Sequence, residues 1–148
     1  MGRVRTEVMV ENMKDLWAAE SGQRPPDQVR RLLVKDALVD TGATTLALPT
    51  RLIQQLGLNK VSERRVRSSG GPHQVAIYDA VRVTILERSC TVDVMEVPDD
   101  VPVLVGQIPL EMLDLVVDPQ GGQLIGNPAH GGEHVLELYL FRLESTRR

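Results

Sequence analysis

The chain has 148 residues, 42% of them hydrophobic and 25% charged, which suits one soluble domain large enough to bury a core of its own. A net charge of −3 creates no general field for nucleic acid or an anionic membrane, and the one cysteine, Cys90, cannot form an intrachain disulfide. With no charged-then-apolar leader and no apolar run near the ~18 residues of a membrane span, the sequence predicts a cytoplasmic protein with neither a membrane nor a nucleic-acid partner.

Aromatic residues make up only 3% of the chain, so the core must come from Val, Leu and Ile, which leans the fold toward β. Met1 to Val10 reads as a strand, with Val4, Thr6, Val8 and Val10 alternating against Arg3, Arg5 and Glu7. Glu11 to Asp27 holds a short helical possibility around Met13, Leu16 and Trp17 and then breaks at Ser21-Gly22-Gln23-Arg24-Pro25-Pro26, so it reads as a surface connection. Trp17 is expected as a lid over a core edge, because tryptophan is usually largely buried.

Val29 to Asp40 is expected as a strand and Thr44 to Leu48 as a second, short one. Pro49 to Gly57 then has helical spacing at Leu52, Ile53 and Leu56, with proline at its start and glycine at its stop. Val61 to Arg67 and Gln74 to Leu86 form the arms of a hairpin whose turn-rich tip is Ser68 to His73. In the second arm Val75, Ile77, Val81, Val83 and Ile85 recur at period two, the mark of a sheet with one buried side. Arg64, Arg65 and Arg67 on the first arm read as a solvated strand face, and Cys90 as a small buried hydrophobe. Strands follow at Thr91 to Val97 and Val101 to Val105, a helical turn at Ile108 to Leu113, and a small hairpin of Leu115 to Asp118 with Gln123 to Ile125. Val135 to Leu143 closes the chain as a strand apolar on both faces, which needs cover on both sides.

The chemistry resides in Ala37-Leu38-Val39-Asp40-Thr41-Gly42-Ala43, an acid at the end of an apolar strand followed by Thr and Gly. Hydrolysis by paired carboxylates needs two acids that share one proton, so that one activates water while the other donates to the scissile carbonyl. The chain has no second Asp-Thr-Gly or Asp-Ser-Gly. The missing acid is therefore expected from a second copy, with the site on the two-fold axis of a homodimer.

Leu38 to Ala43, the strand and Pro-led helix after it, the Gly-tipped hairpin and Val103-Leu104-Val105-Gly106 before a helix together resemble the retroviral-type aspartic proteases in their single-domain cellular form. The resemblance covers roughly residues 29–125. It implies a mostly β fold, a closed antiparallel β-barrel-like subunit with one or two short helices, in one domain over residues 1–148 with a flap hairpin at 61–86. It further implies an aspartic endopeptidase acting on a peptide or protein substrate, with no cofactor and no metal.

By position, Asp40 would be the catalytic acid, Thr41 would hydrogen-bond across the two-fold to the partner loop, and Gly42 would permit the tight turn. Ala43, Ser69, Gly70, Gly71, Val105 and Ile108 would bind substrate, with Gly70 and Gly71 absorbing the movement of the flap. The sequence departs from the viral pattern at Gln107, where viral members commonly carry an arginine that braces the dimer, and at Pro72, which stiffens the flap tip. The alternative of another class is a catalytically weak dimer that binds peptides. Asp40-x-Gly42-x-Thr44 also fits an ATPase phosphate loop, but such folds need two large lobes that a chain this short cannot supply. His130-Gly131-Gly132-Glu133-His134 has the spacing H-x-x-E-H of a zinc site, yet its paired glycines and Asn127-Pro128 oppose the helix that the motif requires, so it reads as a loop.

Overall fold

A computed structural model describes residues 3–138. Its elements in chain order are β1 (Arg5–Asn12), α1 (Met13–Glu20), β2 (Arg31–Val39), β3 (Leu46–Pro49), α2 (Thr50–Gln55), β4 (Lys60–Ser68), β5 (Gly71–Ile85), β6 (Arg88–Val97), β7 (Leu104–Val105), α3 (Gln107–Leu113), β8 (Leu115–Asp118) and β9 (Gln123–Gly126). Short 3-10 turns occupy Pro26–Gln28 and Pro128–His130. The fold is mostly β, as expected.

Seven strands form one sheet in the order β1-β2-β7-β3-β6-β5-β4, with β5 also pairing with β1, while β8 and β9 make a separate hairpin. Two of the pairings, β2 with β7 and β3 with β6, are parallel, so the sheet is mixed where an antiparallel one was expected. β7 lies between β2 and β3, parallel to the first and antiparallel to the second. Three α-helices stand among the described residues where one or two were expected.

The period-two reading of β5 holds. Val81, Val83 and Ile85 are buried at 0–1% exposure and Arg82 and Thr84 between them are not. They meet Val8 and Val10 of β1, Leu46 and Leu48 of β3, Ile53 and Leu56 of α2, Val94 of β6 and Val105 of β7 in one cluster. Each such side chain contributes about 1.5–3 kcal/mol on full burial, so this aliphatic cluster replaces the aromatics that the chain lacks. Asp79 interrupts the apolar face where the ladder between β5 and β6 shifts register, at Tyr78 to Val81. Its carboxylate accepts the Asn59 N–H at 2.9 Å and pairs with Lys14 Nζ at 3.0 Å, which compensates its burial.

α1 is a formed helix where a connection was expected, because Asn12 caps it. The Asn12 side chain accepts the Asp15 N–H at 3.0 Å and donates from Nδ2 to the Leu56 carbonyl at 2.8 Å. Asp15, also buried, is held by the Arg30 guanidinium at 2.7 and 2.9 Å, and its carboxyl lies below the usual range because of that hydrogen bond. Trp17 is 55% exposed, which corrects the expected lid: the buried positions of α1 are Met13 and Asp15, and its indole projects from another side.

At the chain's end, residues 135–138 form no strand and Leu136 and Leu138 are exposed. The Val135 N–H goes to the Asp114 carboxylate at 3.1 Å instead of into a ladder. The rest of the strand expected at Val135 to Leu143, from residue 139 onward, lies outside the described residues, as do Met1 and Gly2 of the expected first strand.

Candidate active site

Asp40 follows the last residue of β2, and β7 fixes the chain there. Leu38 N–H donates to the Val103 carbonyl at 2.8 Å and Asp40 N–H to the Val105 carbonyl at 2.9 Å. The chain then turns, closed by Ala43 N–H to the Asp40 carbonyl at 3.0 Å. Gly42 N–H donates to Asp40 Oδ1 at 2.9 Å and so aims the carboxylate. A Cβ on Gly42 would sit 3.2 Å from that oxygen, a tight fit, which is a steric reason for glycine here.

The far side of the loop is held from α3. Gln107 N–H reaches the Ala43 carbonyl and Ile108 N–H the Thr44 carbonyl, both at 2.8 Å, while Gly106 N–H reaches the Thr45 carbonyl at 3.0 Å. Thr45 Oγ1 anchors to the Asp93 carbonyl at 3.2 Å. Every polar backbone group in this short loop that meets β7 or α3 thus has a partner, and the loop is preorganised around one acid. The Asp40 side chain is half-buried, and among the described residues it has no ion pair and no hydrogen-bond donor besides Gly42. Thr41 is exposed, and its hydroxyl makes no hydrogen bond among the described residues.

Two cavities flank the loop. One, about 760 Å³ and open, is lined by Asp40, Thr41, Leu38, Leu104, Pro102 and neighbours that include Arg3 and Val4 of the N-terminal segment. The other, about 470 Å³, lies between the loop residues Thr44 and Thr45, the flap arm Arg64 to Val66, Ile77, Asp93 and Ile108. Asp40 is thus among the residues that line the first cavity, and β4 of the hairpin borders the second.

Of the residues expected to bind substrate, Ile108 lines the flap cavity and is 44% exposed. Ala43 is half-buried at the turn. Val105 is fully buried, so it supports the wall from behind and offers the loop its carbonyl. Ser69, Gly70 and Gly71 stand at the flap tip and line neither cavity in this conformation. The tip is a two-residue turn, since Ser68 already pairs with Gly71, and it is tighter than the six residues expected. Gly71 has φ +99°, which suits glycine, and Ser68 Oγ bridges it by accepting Gly70 N–H and donating to the Gly71 carbonyl, each at 3.3 Å.

Gln107, at the position where viral proteases carry arginine, donates from Nε2 to Glu111 Oε1 at 2.9 Å along its own helix. The H-x-x-E-H stretch forms a 3-10 turn and a loop, in keeping with its sequence reading. His130 bonds Asp114 at 2.7 Å and Glu137 at 2.8 Å, and His134 Nε2 lies 3.0 Å from the Met112 carbonyl. Cys90 is half-buried and its thiol is pushed up to about 11 by burial, so it is no thiolate nucleophile at neutral pH. Sequence reasoning did not find that Arg64 and Arg65 border a cavity. Their spacing carries no such signal, because only the fold of the flap over the loop brings them there.

An acid-bearing turn is thus clasped by an apolar strand and a helix beside a hairpin. Residues 33–126 match the family model described as aspartyl protease, and the chain belongs to that retropepsin-like family. No curated protein matches the chain. No helix among the described residues is long and apolar enough to cross a membrane.

Proposed function

We propose that this chain is an aspartic endopeptidase, active as a homodimer in which each protomer gives one Asp40 and the two carboxylates hold one water between them. The observation that carries the reading is the Asp40 loop, which fixes a single half-buried carboxylate with one oxygen bonded to Gly42 N–H and with no other acid among the described residues bonded to it. A lone carboxylate cannot take a proton from water and give one to the carbonyl in the same step, whereas two brought together on a symmetry axis can hold one proton and share these roles.

Asp40, Thr41 and Gly42 form the catalytic loop. The Thr41 hydroxyl bonds the partner's loop, which sets the separation of the acids. Ala43, Ile108 and the flap tip Ser69, Gly70 and Gly71 contact an extended peptide, and Val105 keeps the wall in place. The pairing of β1 with both β2 and β5, which links the two flanks of the six strands inside β4, supports reading the sheet as the closed, barrel-like body of a retropepsin subunit. The flap hairpin β4–β5 then closes over substrate, and the peptide adds as a strand whose main chain gives affinity while alternate side chains enter pockets. The exposed segment of residues 135–138 lies at the end of the described chain and can interleave with its counterpart at the interface. A reducing, cytoplasmic compartment suits a chain with one cysteine. No cofactor takes part in this scheme.

Asp40→Asn tests the reading. Loss of cleavage in a library of peptides, with the dimer retained in sedimentation, is expected. Cleavage at the wild-type rate would contradict it. Because one acid of the pair must carry a proton, the rate should fall in alkaline solution, and a rate still rising there would also contradict it.

A further inference from the structure

The flap arm β4 is the last strand of its sheet, and one of its edges is unpaired among the described residues. Arg64 and Arg65 on this strand are exposed, and their side chains make no hydrogen bond or ion pair among the described residues. Both line the flap cavity, although neighbours on a strand ordinarily point to opposite faces, so the cavity wraps the strand's edge. Lys60, earlier on the same strand, is already paired with Glu63 and adds no free charge there.

The rest of the lining decides what the two guanidinium groups can meet. Thr44 and Thr45 supply hydroxyls, Ile108 supplies an apolar wall, and Asp93 is the sole acid of the cavity. Two cations against one anion leave the cavity positive in a chain whose overall charge is −3. Charges on an edge strand also discourage edge-to-edge aggregation, but that role requires no cavity and no hydroxyls beside them.

We propose that the flap cavity is a side-chain pocket for an acidic residue of the bound peptide, with Arg64 and Arg65 as its specificity-determining residues. This rests on the peptide-binding part of the proposed function and deepens it. A carboxylate two or three bonds from the peptide backbone can accept from a guanidinium in bidentate fashion, and its methylenes lie against Ile108. The salt bridge forms at a partly open rim, so it acts more strongly on choice among peptides than on overall affinity.

The test uses full-length protein carrying Asp40→Asn, which holds peptide without cleaving it, and fluorescent octapeptides differing only by Glu or Gln at each position in turn. At one position Glu should bind about tenfold more tightly than Gln, and the preference should shrink as salt is raised. Arg64→Met with Arg65→Met should bring the Glu-to-Gln ratio to about one, and Arg64→Lys with Arg65→Lys should keep part of it. Circular dichroism of each variant guards against misfolding, and the ratio within one variant cancels any loss of folded protein.

Absence of a Glu preference at every position, or its survival in the double Met variant, would overturn the proposal. So would a single-stranded oligonucleotide that binds more tightly than every peptide in an Arg64- and Arg65-dependent way. The two readings fail separately. An arginine-dependent Glu preference in binding, with no cleavage by the wild-type chain, would sink the protease and leave the pocket. Cleavage with no such preference would do the reverse.

Discussion

Gly106 offers a sharp perturbation of the site that leaves its chemistry untouched. Its φ of −90° and ψ of −170° lie in extended territory open to any residue, so the need for glycine is steric alone. A Cβ there would lie 2.6 Å from the Ala43 carbonyl oxygen, 2.8 Å from the Ala43 carbonyl carbon, and closer still to the Thr45 oxygen. All three are backbone atoms of the Asp40 loop and cannot swing aside. In Gly106→Ala the β7–α3 corner must therefore retreat, which strains the bonds from Gly106, Gln107 and Ile108 to Thr45, Ala43 and Thr44.

Overpacking costs about 1–3 kcal/mol and each weakened backbone bond up to about 1 kcal/mol, so a loss of roughly 2–5 kcal/mol is expected. For a chain of this size that lowers the melting temperature by roughly 5–15 °C. Denaturation followed by circular dichroism, at one fixed protein concentration so that any association stays constant, reads the effect. Gly70→Ala is the control: its Cβ would meet only Ser68 Oγ at 3.8 Å, so a change within about 0.5 kcal/mol is expected. If Gly106→Ala also stayed within about 0.5 kcal/mol of wild type, the clasp on the Asp40 loop would be wrongly described.

Asn12→Ala removes the cap of α1 and leaves the Leu56 carbonyl without its donor; a loss of about 2–4 kcal/mol in urea unfolding is expected, and one below about 0.5 kcal/mol would refute the role. At the C-terminal loop, hydrogen bonds that the His130 ring donates to Glu137 and Asp114 raise His130 above its usual value. Burial pushes Asp114 up, but bonds from His130, the Val135 N–H and Asn127 outweigh it and bring the carboxyl down to about 2. The histidine's contribution is therefore complete below about pH 6.5 and lost as pH rises through its higher folded value, while that of Asp114 is complete above about pH 3.8 and lost on descent toward 2. Amide exchange at residues 127–135, corrected for the intrinsic pH effect, should be slowest between these limits and speed up above neutrality, and His130→Gln should remove the alkaline limb. An unchanged limb in that variant would refute the assignment. Pro72→Gly, opposite Arg67 at the flap tip, should raise turnover on short peptides by loosening the flap, with no change counting against a stiffness effect.

Much of the fold was legible because its signals are local. The alternation Val81, Val83, Ile85 needs only the pleat of a strand, and the helix at Thr50–Gln55 needs only Pro49 before it and Gly57 after it. The Asp40 turn was legible for the same reason: Gly42 and the short apolar strand lie beside it in sequence. The missed features depend on distant partners. α1 is capped by an Asn12 that also reaches Leu56, forty-four residues away, and no window around Met13 reveals that. The parallel pairing of β2 with β7 joins Val39 to Val105, so it could not be read from either strand. Trp17 was misjudged from a residue-type average that its own helix face overrides, and Val135 left the expected strand because a side chain, Asp114, takes its N–H. The cationic cavity arises only when the flap folds over Thr44 and Thr45.

The central claim is that each site needs an Asp40 from two chains, and subunit mixing tests it most directly. Wild-type and Asp40→Asn chains are combined in equal amounts, allowed to exchange, and assayed at the total chain concentration of the wild type alone. If the acids work only as a pair, about one quarter of the wild-type rate remains, since about one dimer in four carries both. A rate of about one half would mean that each chain acts on its own, and would contradict the account.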